Sequence, residues 1–263
     1  MPARFALAAL VALAGAGARA QGLPDPFPQA AAAYLVLEDG APLWGRAADE
    51  RRAPASLAKL MSALVVLEDG QFDVLVVVSA KAAAARGARL GLRAGERWPA
   101  HALFAAMLVG SANDACAALA ERNGGAAAFV ARMNEKAPLL GMRNTRFAGP
   151  CGFDADRQHS TARDLARLAT VAMRRAQIAA LVGRPEIEVA SADRARVIRV
   201  KNTNALIGNF PGVVGVKTGQ TRRAGHNLIA LAERDGRRVL LVMLGARDRW
   251  WGAHQILARA HAR

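Results

Sequence analysis

The chain has 263 residues, 53% of them hydrophobic, with 36 Lys and Arg against 21 Asp and Glu, for a formal net charge of +15. That length can bury a large core and suits one globular domain of good size. So basic a chain could meet nucleic acid, anionic lipid or an acidic polymer, but its single Tyr and scattered arginines argue against nucleic acid and leave anionic envelope polymers as the better match.

Residues 1–20 carry the pattern of a secretory signal. Arg4 supplies a short positive region, Phe5 to Gly15 an apolar segment too short to span a bilayer, and Ala18-Arg19-Ala20 a small-x-small cleavage site. No other uninterrupted apolar run approaches membrane length, so the expected mature protein is soluble and extracytoplasmic, with no firm membrane anchor. In such a compartment the two cysteines, Cys116 and Cys151, permit one disulfide.

Residues 21–31, rich in proline, read as an extended arm, and 32–263 as one domain. Ala32 to Glu38, Asp39-Gly40 and Leu43-Trp44-Gly45 form a predicted hairpin. A charged loop, Arg46 to Arg52, leads into a helix that is apolar nearly all round (Leu57, Leu60, Met61, Leu64, Val65, Val66, Leu67), which marks it as buried and central. Phe72 to Ser79 is a short strand or buried connection, and Ala80 to Arg97 a loop with one helical turn. Helices follow over His101 to Val109, Asp114 to Arg122, Ala126 to Leu139, Ala162 to Met173 and Ala176 to Val182, broken by glycines and by the aperiodic stretch Asn144 to Gln158. Strands are then predicted at Glu186 to Val189, Val197 to Val200, Val213 to Thr218, His226 to Glu233 and Arg238 to Leu244, before a closing helix from Trp250 to Ala262. The apolar face of that helix (Trp250, Trp251, Ile256, Leu257) is expected to cover the sheet. Strand pair, helical block, strand triplet and helix imply an α/β fold of the α+β kind, whose sheet draws its first strands and last helix from opposite ends of the chain.

Three polar motifs interrupt these patterns. Ser56 and Lys59 stand three apart at the head of the buried helix, so a hydroxyl and an amine rise from one face beside free backbone N–H groups suited to an oxyanion. A serine nucleophile activated by a lysine is the chemical reading; an ordinary polar cap is the plain one. Ser111-Ala112-Asn113-Asp114 falls at a helix junction, where Ser and Asn usually cap. Lys217-Thr218-Gly219 comes off a strand, and Gly219 removes the side chain that would stop a peptide from lying along the strand edge.

Ser-x-x-Lys, Ser-x-Asn and Lys-Thr-Gly in this order form a set shared by penicillin-binding proteins and class A β-lactamases. With Leu140-Gly141-Met142-Arg143-Asn144-Thr145, Ser160-Thr161-Ala162-Arg163-Asp164-Leu165 and Ala224-Gly225-His226-Asn227-Leu228, the chain resembles the low-molecular-mass penicillin-binding proteins of the D-alanyl-D-alanine carboxypeptidase family, serine peptidase family S11, from about Ala32 onward. The resemblance implies a five-stranded antiparallel sheet flanked by helices, of the β-lactamase/transpeptidase-like kind, and a substrate drawn from peptidoglycan stem peptides, with β-lactams as covalent inhibitors and no cofactor. It implies Ser56 as nucleophile, Lys59 as general base and Ser111 as proton relay to the leaving amine. Asn113 would hold the substrate amide, and a charged Lys217 the terminal carboxylate with hydrogen bonds from Thr218 and Thr221. The N–H groups of Ser56 and Gln220 would form the oxyanion hole, with Gly219 leaving the edge open. The chain stops soon after its last strand, as the family's short members do, and those are D,D-endopeptidases, so endopeptidase activity stands as the alternative to carboxypeptidase activity.

Rival readings have less behind them. A class A β-lactamase needs a glutamate-held water, and Glu121, Glu135, Glu186 and Glu188 are the only candidates between the second and third motifs. A Ser-His-Asp hydrolase lacks its Gly-x-Ser-x-Gly elbow, and His101, His159, His226, His254 and His261 show no paired spacing for a triad or a zinc site, so no metal is expected. A non-catalytic wall-binding module that keeps the fold would not need every motif residue present.

Overall fold

The computed structural model describes residues 25–70 and 72–263. The predicted signal at 1–20 and the start of the arm lie outside them. Strand β1 (Ala31–Glu38) begins one residue earlier than expected and turns at Asp39-Gly40 into β2 (Ala41–Arg46). Just before it the arm is not extended: Ala30 N donates to Phe27 O (3.1 Å), and the Phe27 ring meets Trp44 edge-on with centroids 5.5 Å apart. An apolar partner within reach draws the arm into a turn.

The sheet is completed by three long strands near the C-terminus, β7 (Val213–Thr221), β8 (Gly225–Arg234) and β9 (Arg237–Ala246). Its order is β2-β1-β9-β8-β7, antiparallel throughout, so the first hairpin docks on the last strand and β7 is left as an edge. Alternation along β1 divides the core: Ala33 and Leu35 face one side, Tyr34 and Val36 the other.

On the Tyr34 side lies the closing helix α8 (Arg249–His261), which buries Ala253, Ile256, Leu257 and Ala260 at helical spacing. The expectation that Trp251 joins this face is wrong. It is 64% exposed, because it sits one position, about 100° of helical rotation, off the buried stripe. Tyr34 is fully buried, and its hydroxyl donates to Asp25.

The opposite side carries the helical block. Its centre is α1 (Lys59–Glu68), entered through a 3₁₀ turn at Ala55–Ala58. Around it pack α3 (Ala100–Val109), α4 (Asn113–Arg122), α5 (Gly125–Leu139), α6 (Ala162–Met173) and α7 (Ala176–Val182). The loop before α3 holds a short helix α2 (Ala80–Ala83) and a two-stranded ribbon, β3 (Leu75–Val77) with β4 (Arg97–Pro99). Strands β5 (Glu186–Ala190) and β6 (Val197–Lys201) pair with each other, apart from the main sheet. Among the described residues no helix is long and apolar enough to cross a membrane.

Candidate active site

Between the edge strand β7 and the helical block runs a cleft of about 270 Å³. Ser56, Ser111, Asn113, Thr218, Gly219, Gln220 and Thr221 all line it, although they are up to 165 positions apart in the sequence. Lys59 and Lys217 lie beneath its floor, 0% and 1% exposed. None of the four candidate glutamates is among the lining residues.

A 3₁₀ turn eclipses side chains three apart, and this sets Lys59 against Ser56, Nζ to Oγ 2.9 Å. The amine has two further neighbours, Asn113 Oδ1 and the Cys151 carbonyl oxygen, both at 2.7 Å. Burial, and then the positive charge of Lys217, hold Lys59 well below the ordinary lysine range. A neutral amine has two N–H donors and one lone pair. Nζ donates to Ser56 Oγ as well as to Asn113 Oδ1 and Cys151 O, so it is on losing its third proton that the amine, still held by the other two acceptors, can accept from the Ser56 hydroxyl.

Gly219 also eases the approach of β7, besides leaving the strand edge open as its motif suggests. A Cβ there would stand 3.1 Å from both Ala55 Cβ and Ser56 N, so the glycine lets the strand close on the turn that carries Ser56. Gly152 does the same from the other wall. It has φ +84°, and a Cβ on it would lie 2.0 Å from the Ala55 carbonyl oxygen.

The side chains show what each expected site residue is bound to within the protein itself. Asn113 is not a cap: Ala112 occupies that position, and Asn113 spends Oδ1 on Lys59 and donates Nδ2 to Arg86 O (2.6 Å). Its first task is therefore to orient the amine. Thr221 is also committed, donating Oγ1 to Asp154 Oδ1 (2.6 Å) and accepting from Ala224 N (3.0 Å). Ser111, at φ +59°, lines the cleft but makes no hydrogen bond to Ser56 or Lys59. Lys217 donates to Thr218 O (3.1 Å), and burial with the Arg249 charge pulls it down to about 7, so near neutrality its charge is divided rather than fixed.

Sequence reasoning missed three contributors. Arg249, the first residue of α8, lines the cleft and donates to Gly219 O (3.1 Å). A cation at a helix N-terminus runs against the helix dipole, and that misfit was its one visible signal. Thr203 shares a 2.6 Å hydrogen bond with Thr218. Asp114, fully buried, accepts from the backbone N–H groups of Leu90, Gly91, Leu92 and Ala115, pinning the loop whose Arg86 carbonyl holds Asn113. The disulfide that the sequence permits between Cys116 and Cys151 is formed, Cα to Cα 5.9 Å.

The buried lysines make stability depend on pH. In the unfolded chain both amines keep their ordinary value of 10.5, whereas in the folded chain both are lowered, Lys217 to about 7. Between pH 7 and 9 the unfolded state therefore binds more protons, and stability rises with pH. The melting temperature should be higher at pH 9 than at pH 7, and Lys217→Met should flatten the rise. A melting temperature that falls over this interval would contradict neutral buried amines.

A five-stranded antiparallel sheet with a lysine-paired serine at the head of its buried helix defines the transpeptidase-like class of fold. Comparison with known proteins narrows this. Residues 24–248 match the family model described as D-alanyl-D-alanine carboxypeptidase, and the chain belongs to that family, peptidase family S11. It is 34% identical over 225 residues to D-alanyl-D-alanine carboxypeptidase DacF of Bacillus subtilis, covering 83% of this chain and 58% of that protein. The chain thus spans little more than half the length of that relative. It is 35% identical over 231 residues to a D-alanyl-D-alanine endopeptidase of Pseudomonas aeruginosa, covering 86% and 74%. The crystal structure of the Streptomyces K15 DD-transpeptidase superposes with a TM-score of 0.85 at 27% identity, covering 92% of this chain and 100% of that one.

Proposed function

We propose that the protein is a serine D,D-peptidase that cleaves the D-Ala-D-Ala end of peptidoglycan stem peptides through an acyl-enzyme on Ser56. The observation that carries this reading is the buried Lys59 amine, 2.9 Å from Ser56 Oγ and held in place by Asn113 Oδ1 and the Cys151 carbonyl oxygen, whose charged form is disfavoured by burial and by Lys217. Lys59 takes the Ser56 proton as Oγ bonds to the carbonyl carbon, and the N–H of Ser56, with that of Gln220, stabilises the oxyanion. The peptide C–N bond then breaks. The proton passes through Ser111 to the departing D-alanine amine, and water hydrolyses the ester with Lys59 again accepting a proton. Lys217 and Arg249, both beside Thr218 and Gly219, favour the terminal carboxylate at that end of the cleft. A bound carboxylate would in turn raise Lys217 and restore its charge. β-Lactams would acylate Ser56 by the same route, and the predicted signal at 1–20 would deliver the chain to the wall outside the inner membrane.

Endopeptidase action on D-amino-acid cross-links is the second reading, favoured by the 35% identity to an endopeptidase. The test is incubation of the mature protein with cross-linked muropeptides and weighing of the products. Free D-alanine supports the first reading and split dimers the second. If benzylpenicillin also left no mass on the peptide that contains Ser56, both would fall.

A further inference from the structure

At the far end of β7, past Thr221, lies a second cavity of about 380 Å³, walled by Arg51, Arg52, His159, Arg223, Glu50 and Asp156 among others. Thr221 lines the cleft, and Arg223 and Ala224, just beyond it in the chain, line this cavity. The Asp154 carboxylate accepts from Thr221 Oγ1 (2.6 Å) and from Arg223 N (3.2 Å), tying the loop after Cys151 to the turn between β7 and β8. A peptide lying antiparallel to β7 with its terminal carboxylate toward Lys217 and Arg249 would have its residues upstream of the scissile bond run the other way, past Thr221 and toward the second cavity.

The cavity is positive. Arg51 donates to an uncharged amide, its Nη2 and Nε at 2.9 and 3.3 Å from Asn144 Oδ1, rather than to a carboxylate. Arg223 meets Asp156 only at 3.6 Å, and that carboxylate is fully solvated, a pairing of little worth. Arg52 alone is closely paired, with Glu50 at 2.9 Å. His159, on the same wall, is held below the ordinary imidazole range by burial first and then by the neighbouring Arg51 charge.

We infer that this cavity is a second substrate subsite, in which the guanidinium groups of Arg51 and Arg223 take a free carboxylate carried by the stem peptide upstream of its D-Ala-D-Ala end. Guanidinium forks match carboxylates bidentately, which suits an acidic residue in an otherwise featureless extended chain. The inference rests on the D,D-peptidase reading and names the part of the substrate that the cleft itself does not contact.

Two pentapeptides that end in D-Ala-D-Ala, identical except that an upstream carboxylate is free in one and amidated in the other, test it. The wild type should turn over the free acid with the higher kcat/KM, through a lower KM, by roughly three- to tenfold. Arg51→Ala and Arg223→Ala should each bring that ratio toward one, and added salt should do the same in the wild type. Because the amidated peptide reports any general damage to fold or chemistry, only the ratio is read. A ratio near one in the wild type, or a ratio unmoved by both substitutions, overturns the subsite. Turnover of neither peptide instead sinks the peptidase reading and the subsite with it.

Discussion

Lys59→Ala should lower the rate of acylation by benzylpenicillin by about 10² to 10⁴, the usual worth of a positioned general base, while the protein stays folded. Lys59→Arg should be no better, since a guanidinium keeps its proton and has no lone pair to offer. Folding should survive because the substitution removes a fully buried amine whose desolvation opposes its charged form. The pH profile carries the more specific expectation. Acylation should climb as pH rises through the lowered value of Lys59. For substrates with a terminal carboxylate, kcat/KM should fall again as pH rises through about 7, where unliganded Lys217 loses its charge. That upper limb should shrink in kcat, because the bound carboxylate holds Lys217 protonated. Stopped-flow acylation and steady-state rates across pH 5 to 10 measure both limbs. Wild-type acylation by Lys59→Ala, or recovery in Lys59→Arg, would remove the lysine from the chemistry.

The second large effect is expected from the disulfide. Cys116 stands on α4, three residues and nearly one turn beyond Asn113, and the carbonyl of Cys151 is itself an acceptor for Lys59. The bridge therefore ties together two of the acceptors that hold the amine. With its ends 35 positions apart in the sequence, it also restricts the unfolded chain by about 4 kcal/mol in the loop-entropy model. A Cys116→Ser/Cys151→Ser variant should melt roughly 8–15 °C lower than the wild type by calorimetry. It should also acylate more slowly at neutral pH, with the rising limb of its pH profile displaced, as a less firmly held amine requires. A displaced limb separates positioning from mere stability. Both sulfurs are buried, so the double variant is a cleaner probe than added reductant. Equal melting temperatures and superimposable pH profiles would show that the bridge does neither job.

Much of the architecture could be read from pattern alone. The α6 and α7 helices lie at their expected bounds because Thr161 caps the first and an i, i+3, i+4 stripe of Leu165, Leu168 and Ala169 drives its burial. The Asp39-Gly40 turn, with both residues at positive φ, marks the first hairpin by local chemistry. The burial of α1 follows from apolar residues on every face. What failed did so where a neighbour distant in sequence decides. Trp251 is exposed although hydrophobic, since the stripe that meets the sheet passes beside it. The arm folds back because Trp44, brought near by β2, offers Phe27 a partner.

The same division holds within the cleft. Residue types and spacing determined which groups could do chemistry: a serine three before a lysine at a helix head, a Ser-x-Asn junction, and a Lys-Thr-Gly strand. Only the folded chain decided what each group is bound to, and hence what it can do. Asn113 and Thr221 turn inward to Lys59 and Asp154, Gly219 and Gly152 admit backbone against Ser56, and Arg249 arrives from the last helix. The physical reason is range. Helical and strand periodicity is set by neighbours a few residues away, but the protonation of a buried amine is set by every charge and acceptor within a few ångströms, whichever part of the chain supplies it.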